Sequence, residues 1–125
     1  MAAYDEAKAK LEALGITEIN QELLRISVNE AEMYIKNFCN ITRVPEELSD
    51  TLVNCACGKY LTVLRSFGQL GDVVDFDAAV SQISEGDVSV SFTDGTSAED
   101  QFLSVISGWA EPDTTALLRF RKLVW

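Results

Sequence analysis

Residues 45–67 read PEELSDTLVNCACGKYLTVLRSF, and the rest of the chain is arranged around them. Pro45 suits a first helical position, where a missing N–H costs nothing. Glu46, Glu47 and Asp50 follow, acids placed at the positive end of a helix dipole. Leu48, Leu52, Cys55, Tyr60, Val63, Leu64 and Phe67 recur at helical spacing and make one apolar face. Val53, Cys57 and Leu61 lie on the opposite side, so little of the circumference suits water. A helix apolar most of the way round is packed on more than one side. The spacing therefore predicts a central core helix.

The remaining elements fall in order around it. Tyr4 to Leu14 is rich in Ala, Glu, Lys and Leu and stops at Gly15, which predicts a short N-terminal helix. Over Thr17 to Phe38, the residues Leu24, Val28, Ala31, Ile35 and Phe38 form an apolar stripe that faces a partner helix. The turn from Asn40 to Val44 is short, so this helix and the central one are expected to be antiparallel. Gly68 and Gly71 mark the end of the central helix, and Asp72 to Val80 reads as loop or helical turn.

Beyond that the period changes. Val88, Val90 and Phe92 alternate with Asp87, Ser89 and Ser91, the pattern of a strand with one wet face. Gln82 and Ile83 either form a partner arm across Glu85-Gly86 or extend the same strand, and Asp94-Gly95 turns the chain out of it. Ser97-Ala98-Glu99-Asp100 is a capping-box variant that opens a short helix with Phe102, Val105, Ile106 and Trp109 on its apolar face. Pro112 fits its stop. The ending, TTALLRFRKLVW, interleaves Arg119, Arg121 and Lys122 with Leu118, Phe120, Leu123, Val124 and Trp125.

The expectation is one mostly α domain over 1–125, a small helical bundle around a long central helix. Its parts are an N-terminal helix (1–15), a helical core (16–80), a strand or hairpin (81–95), a short helix (97–110) and an extended C-terminal tail (112–125). At 125 residues, with 47% hydrophobic and 24% charged, such a chain can fold without staples.

The formal charge is −10, from 20 acidic and 10 basic residues, and there is no histidine. General nucleic-acid binding is disfavoured, because phosphate contacts need Lys and Arg. The charge is uneven: residues 1–100 carry −11 and residues 101–125 carry +1. Three cysteines, an odd number, argue for reduced thiols and a cytoplasmic life rather than a disulfide framework. No apolar run approaches the roughly 20 residues of a membrane span, and MAAYDEAKAK lacks the order of a signal peptide.

Candidate chemistry is sparse. Without histidine, neither a Ser-His nor a Cys-His nucleophile can be assembled. Cys55 and Cys57 are two apart on a helix and point about 200° from one another, so they read as core residues rather than metal ligands. Asp72, Asp75 and Asp77 fail the EF-hand pattern, since its third, sixth and twelfth positions are Val74, Asp77 and Ile83. Asn40-Ile41-Thr42 fits a glycosylation acceptor, which matters only in a secreted protein. No catalytic, cofactor or metal site is expected, and no enzymatic activity.

Two features ask for more than a plain bundle. A strand at 87–92 is marginal alone, so it either caps the bundle as a hairpin or pairs with a neighbouring chain. The basic, aromatic ending either docks into its own core or binds a partner through residues of the kind enriched at hot spots.

YIKNFCN, VPEEL, the helix reaching GKYLTVLRSFG, the ISEGDVSVSF strand and the ending LLRFRKLVW together resemble the head–tail connector (adaptor, or head-completion) proteins of tailed bacteriophages. The resemblance runs from about Ile19 to Trp125 and is one of pattern; the acidic segment before Gly15 and the Cys-Ala-Cys of the core helix depart from it. It implies a virion protein of the phage neck, assembled in the bacterial cytoplasm. Copies would form a ring, typically a dodecamer, beneath the portal, join it to a downstream neck or tail protein, and extend the DNA channel without specific DNA binding. On that reading Val88, Val90 and Phe92 carry subunit contacts, and Arg119, Phe120, Arg121, Leu123 and Trp125 dock onto the portal. The alternative is a small acidic helical regulator, or DNA mimic, that binds a basic host protein.

Overall fold

The computed structural model describes residues 2–16, 18–86, 97–111 and 114–121. The order is α1 (Ala2–Ala13), α2 (Gln21–Cys39), a 3-10 turn (Glu46–Leu48), α3 (Ser49–Ser66), α4 (Leu70–Val73), α5 (Phe76–Gly86), α6 (Ala98–Ala110) and α7 (Thr114–Leu118). Helix α3 is the hub and packs against α1, α2, α4 and α6. Nine of its side chains or glycines are buried, on both sides of the helix, including Leu52, Val53, Cys55, Cys57, Tyr60 and Leu61. Pro45 is extended and precedes the 3-10 turn, so the α-helix itself starts at Ser49.

The three long neighbours all run antiparallel to α3. The N–H of Asn20, at the start of α2, donates to the Tyr60 hydroxyl at 2.9 Å, late in α3. The Cys57 thiol donates to the Ala7 carbonyl at 3.5 Å, while Lys10 donates to Asn54 one turn back along α3. The Lys10 ammonium also lies 4.2 Å from the Trp109 ring centre, which ties α6 to the same junction. Against α6, Cys55 donates to the Ala110 carbonyl at 3.6 Å. Gly58 lets the backbones meet: a Cβ there would sit 2.4 Å from the Ala110 nitrogen and 2.8 Å from the Ile106 oxygen.

Local chemistry sets the helix ends. Asn20 caps α2, its side chain accepting from the Leu23 N–H at 3.1 Å, so this helix begins at Gln21 rather than at Thr17. Leu24, Val28, Ala31 and Ile35 of that stripe are buried and Phe38 is half-buried. Ser97 accepts from the Asp100 N–H at 3.2 Å, the expected cap of α6, and Phe102 and Ile106 are buried beneath it. Gly15 and Gly68 stop α1 and α3 with φ of +92° and +70°.

Two expectations need correction, and a third falls outside the described residues. Residues 81–86 are not an arm of a strand or hairpin; they belong to α5, in which Ala79 is buried and Phe76 meets Phe102 edge-to-face at 5.5 Å. Asp75 starts that helix, accepting from the Ala78 N–H at 3.2 Å. The expected strand residues Val88, Val90 and Phe92 lie outside the described residues, and no strand occurs among those described. The C-terminal segment is not extended over 114–121: α7 packs on α2, Leu117 is fully buried, and Phe120 is packed against the core. A leucine with this much apolar surface gains about 2 kcal/mol by docking, which favours the core over water.

Candidate functional site

The end of α2 and the end of α7 build one groove. Asn40 takes a left-handed conformation (φ 56°, ψ 46°), and its N–H together with that of Ile41 (3.1 Å) returns to the Lys36 carbonyl. This closes α2 and throws Ile41, Thr42 and Arg43 across its end toward Pro45. From the other side, Phe120 and Arg121 fold back through N–H bonds to the Leu117 and Leu118 carbonyls at 3.0 and 3.3 Å. Buried Leu117 anchors that turn, and the Cys39 thiol donates to its carbonyl at 3.4 Å.

The result is an open groove of about 370 Å³ lined by Ile41, Thr42, Arg43, Pro45, Arg119, Phe120 and Arg121. All three arginines are exposed, while Ile41, Pro45 and Phe120 are half-buried and supply an apolar floor. Among the described residues no carboxylate lines it. Neither Arg43 nor Arg119 has an acidic partner among the described residues, whereas nearby Lys36 pairs with Glu32 at 2.7 Å. Arg121 is held differently, its guanidinium 5.3 Å from the Phe38 ring, which in turn stacks on Tyr34 at 6.3 Å. Its charge also acts on Cys39, whose thiol pKa burial raises and Arg121 partly pulls back.

Across the same loop lies a second hollow of about 270 Å³, into which Arg43 also reaches, with Glu6, Glu32, Glu46 and Lys36 on its walls. The basic groove is thus bordered by acids. Elsewhere, Ile26, Met33 and Tyr34 leave an exposed apolar strip along the outer side of α2. Among the described residues no three His, Cys, Asp or Glu side chains converge as metal ligands, and no helix is long and apolar enough to cross a membrane. The thiols of Cys55 and Cys57 donate to carbonyls of α6 and α1, on opposite sides of α3. Burial raises the pKa of both, Cys57 to about 12.

Of the residues singled out in the sequence, Arg119, Phe120 and Arg121 come together in this groove. Leu123 and Trp125 lie outside the described residues, as do Val88, Val90 and Phe92. Arg43 is the residue that sequence reading missed. It stands 76 positions before Arg119, and no local pattern marks a loop arginine as the partner of a distant one. Searches of protein families, of curated proteins and of solved structures find nothing that this chain matches.

Proposed function

We propose that this chain is a structural subunit of a phage neck, a head–tail connector that assembles as a ring beneath the portal and extends the DNA channel. The observation that carries the reading is the gathering of Arg119, Phe120 and Arg121 with Arg43 at one exposed end of an otherwise acidic helical bundle. A surface of arginine over an apolar floor has the composition of a protein-binding hot spot. The net −11 of residues 1–100, repeated around a ring, would repel phosphate and let DNA pass without sticking. Subunit contacts are assigned to Val88, Val90 and Phe92, whose alternation suits strand pairing between chains in a heterologous, ring-closing contact. No step of this role is catalytic.

Negative-stain imaging of the chain mixed with the portal protein tests it. Added ring density with the wild type and none with Arg119→Glu/Arg121→Glu is the expected result. No added density with the wild type sinks the connector reading and favours the acidic regulator, which would instead bind a basic host protein as a monomer or dimer.

A further inference from the structure

We propose that the groove between the α2–α3 loop and the end of α7 is a docking site for an acidic, leucine-bearing segment of a partner protein. In naming a protein partner, this rests on the docking role proposed above; the groove's chemistry stands on the structure. Two elements 76 residues apart bring three exposed guanidinium groups onto one hollow, with no carboxylate in its wall among the described residues. Arg43 and Arg119 are exposed and, among the described residues, have no acidic partner, so in a chain of net charge −10 both guanidinium groups are open to anions supplied from outside. Planar guanidinium groups match carboxylates in a two-pronged fashion, and Arg121 is already oriented by its stack on Phe38.

The floor decides between kinds of anion. Ile41, Pro45 and Phe120 offer half-buried apolar surface between the charges, which suits a leucine flanked by acids. About 370 Å³ accommodates a few side chains, not a length of duplex. A nucleic-acid backbone also needs a continuous track of cations, whereas here Glu6, Glu32 and Glu46 border the groove. A short acidic peptide meets the arginines and avoids those carboxylates.

The test is a fluorescence-anisotropy titration of the full chain with a labelled peptide of Glu-Asp-Leu repeats. Binding should weaken with added salt and disappear when the peptide's acids are replaced by Gln and Asn. Arg43→Gln and Arg119→Gln, both at exposed positions, should each weaken it by about tenfold or more, as expected for a lost charge-assisted hydrogen bond. Arg25→Gln, on a part of α2 where Arg25 lies over Tyr4, should leave it unchanged.

Equal losses at Arg25 would reduce the effect to bulk charge and overturn the proposal. So would unaltered binding by the Arg43→Gln/Arg119→Gln double variant, or displacement of the peptide by oligothymidylate at equal or lower concentration. The two readings separate cleanly. Peptide binding without portal decoration keeps the groove and removes the connector; portal decoration without peptide binding, unchanged in the double variant, does the reverse.

Discussion

Helix α3 and the segment 114–121 each bury leucine and each take part in cysteine hydrogen bonds, α3 as donor through Cys55 and Cys57 and the segment as acceptor from Cys39, but they are held in different ways. Helix α3 is enclosed by α1, α2 and α6, with Leu52, Tyr60 and Leu61 packed on different sides and Gly58 in backbone contact with α6. The attachments of the segment 114–121 include buried Leu117, the half-buried Phe120, one thiol contact from Cys39 and Arg121 over the Phe38 ring, while Leu118 beside them is 53% exposed. Opening free energies within one protein range from near zero at lightly packed edges to the global value in the core. Of the groove's arginines, Arg119 and Arg121 therefore ride on the lightly packed segment, while Arg43 sits on the loop between α2 and α3.

The sharpest way to break this contrast is Gly58→Ala. The added methyl meets backbone at 2.4 Å, which no rotamer change relieves, so α3 and α6 must part. A loss of about 3 kcal/mol is expected in urea denaturation, at the upper end of overpacking costs. Leu117→Ala should cost about 2 kcal/mol, the low end for a buried leucine, because a five-residue helix can shift to fill the gap. Hydrogen exchange should then speed up over 114–121 and leave α3 amides protected. Equal acceleration in α3 would mean that the two regions form one cooperative unit.

The pH dependence sharpens the same comparison. Burial lifts the Cys57 thiol to about 12, above the ordinary value near 8.5 of an unfolded chain. The folded state then holds its proton where the unfolded state has lost it. This contribution is fully present below about pH 8.5 and is lost as pH rises toward 12, with a slope of about 1.4 kcal/mol per pH unit. Urea midpoints at pH 7 and pH 10 should differ in the wild type, and Cys57→Ala should flatten the difference. Smallest is Tyr60→Phe, which leaves the Asn20 N–H without its acceptor and should cost about 1 kcal/mol with the fold intact.

The hub was legible because its apolar residues cover both sides of one long helical run, and the stripe of α2 because it repeats at strict four- and three-residue steps. Ser97 was legible as a cap from its own local chemistry. Residues 81–86 were misread when the alternation of Val88, Val90 and Phe92 was carried back through Gly86. The run Phe76, Ala79, Val80, Ile83 has helical spacing, and Asp75 supplies the cap that starts it. The C-terminal ending reads as an extended tail because it is basic and apolar together; Leu117, at the start of that stretch, and Phe120 bind it to the core. Half of the groove was visible in Arg119, Phe120 and Arg121. Arg43 was not, since its neighbourhood is created by the turn at Asn40 and the docking of α7, both tertiary events.

The three thiols amount to a set of internal clocks. Each donates to a carbonyl of a different helix: Cys39 to α7, Cys55 to α6 and Cys57 to α1. All three are buried, so an alkylating reagent reaches each one only when its own cover lifts. In variants that keep one cysteine at a time, labelling rates rank the order in which the helices come away from the hub. Cys39, covered by the shortest of the three, should react first, and a ligand seated on the arginines should slow it selectively.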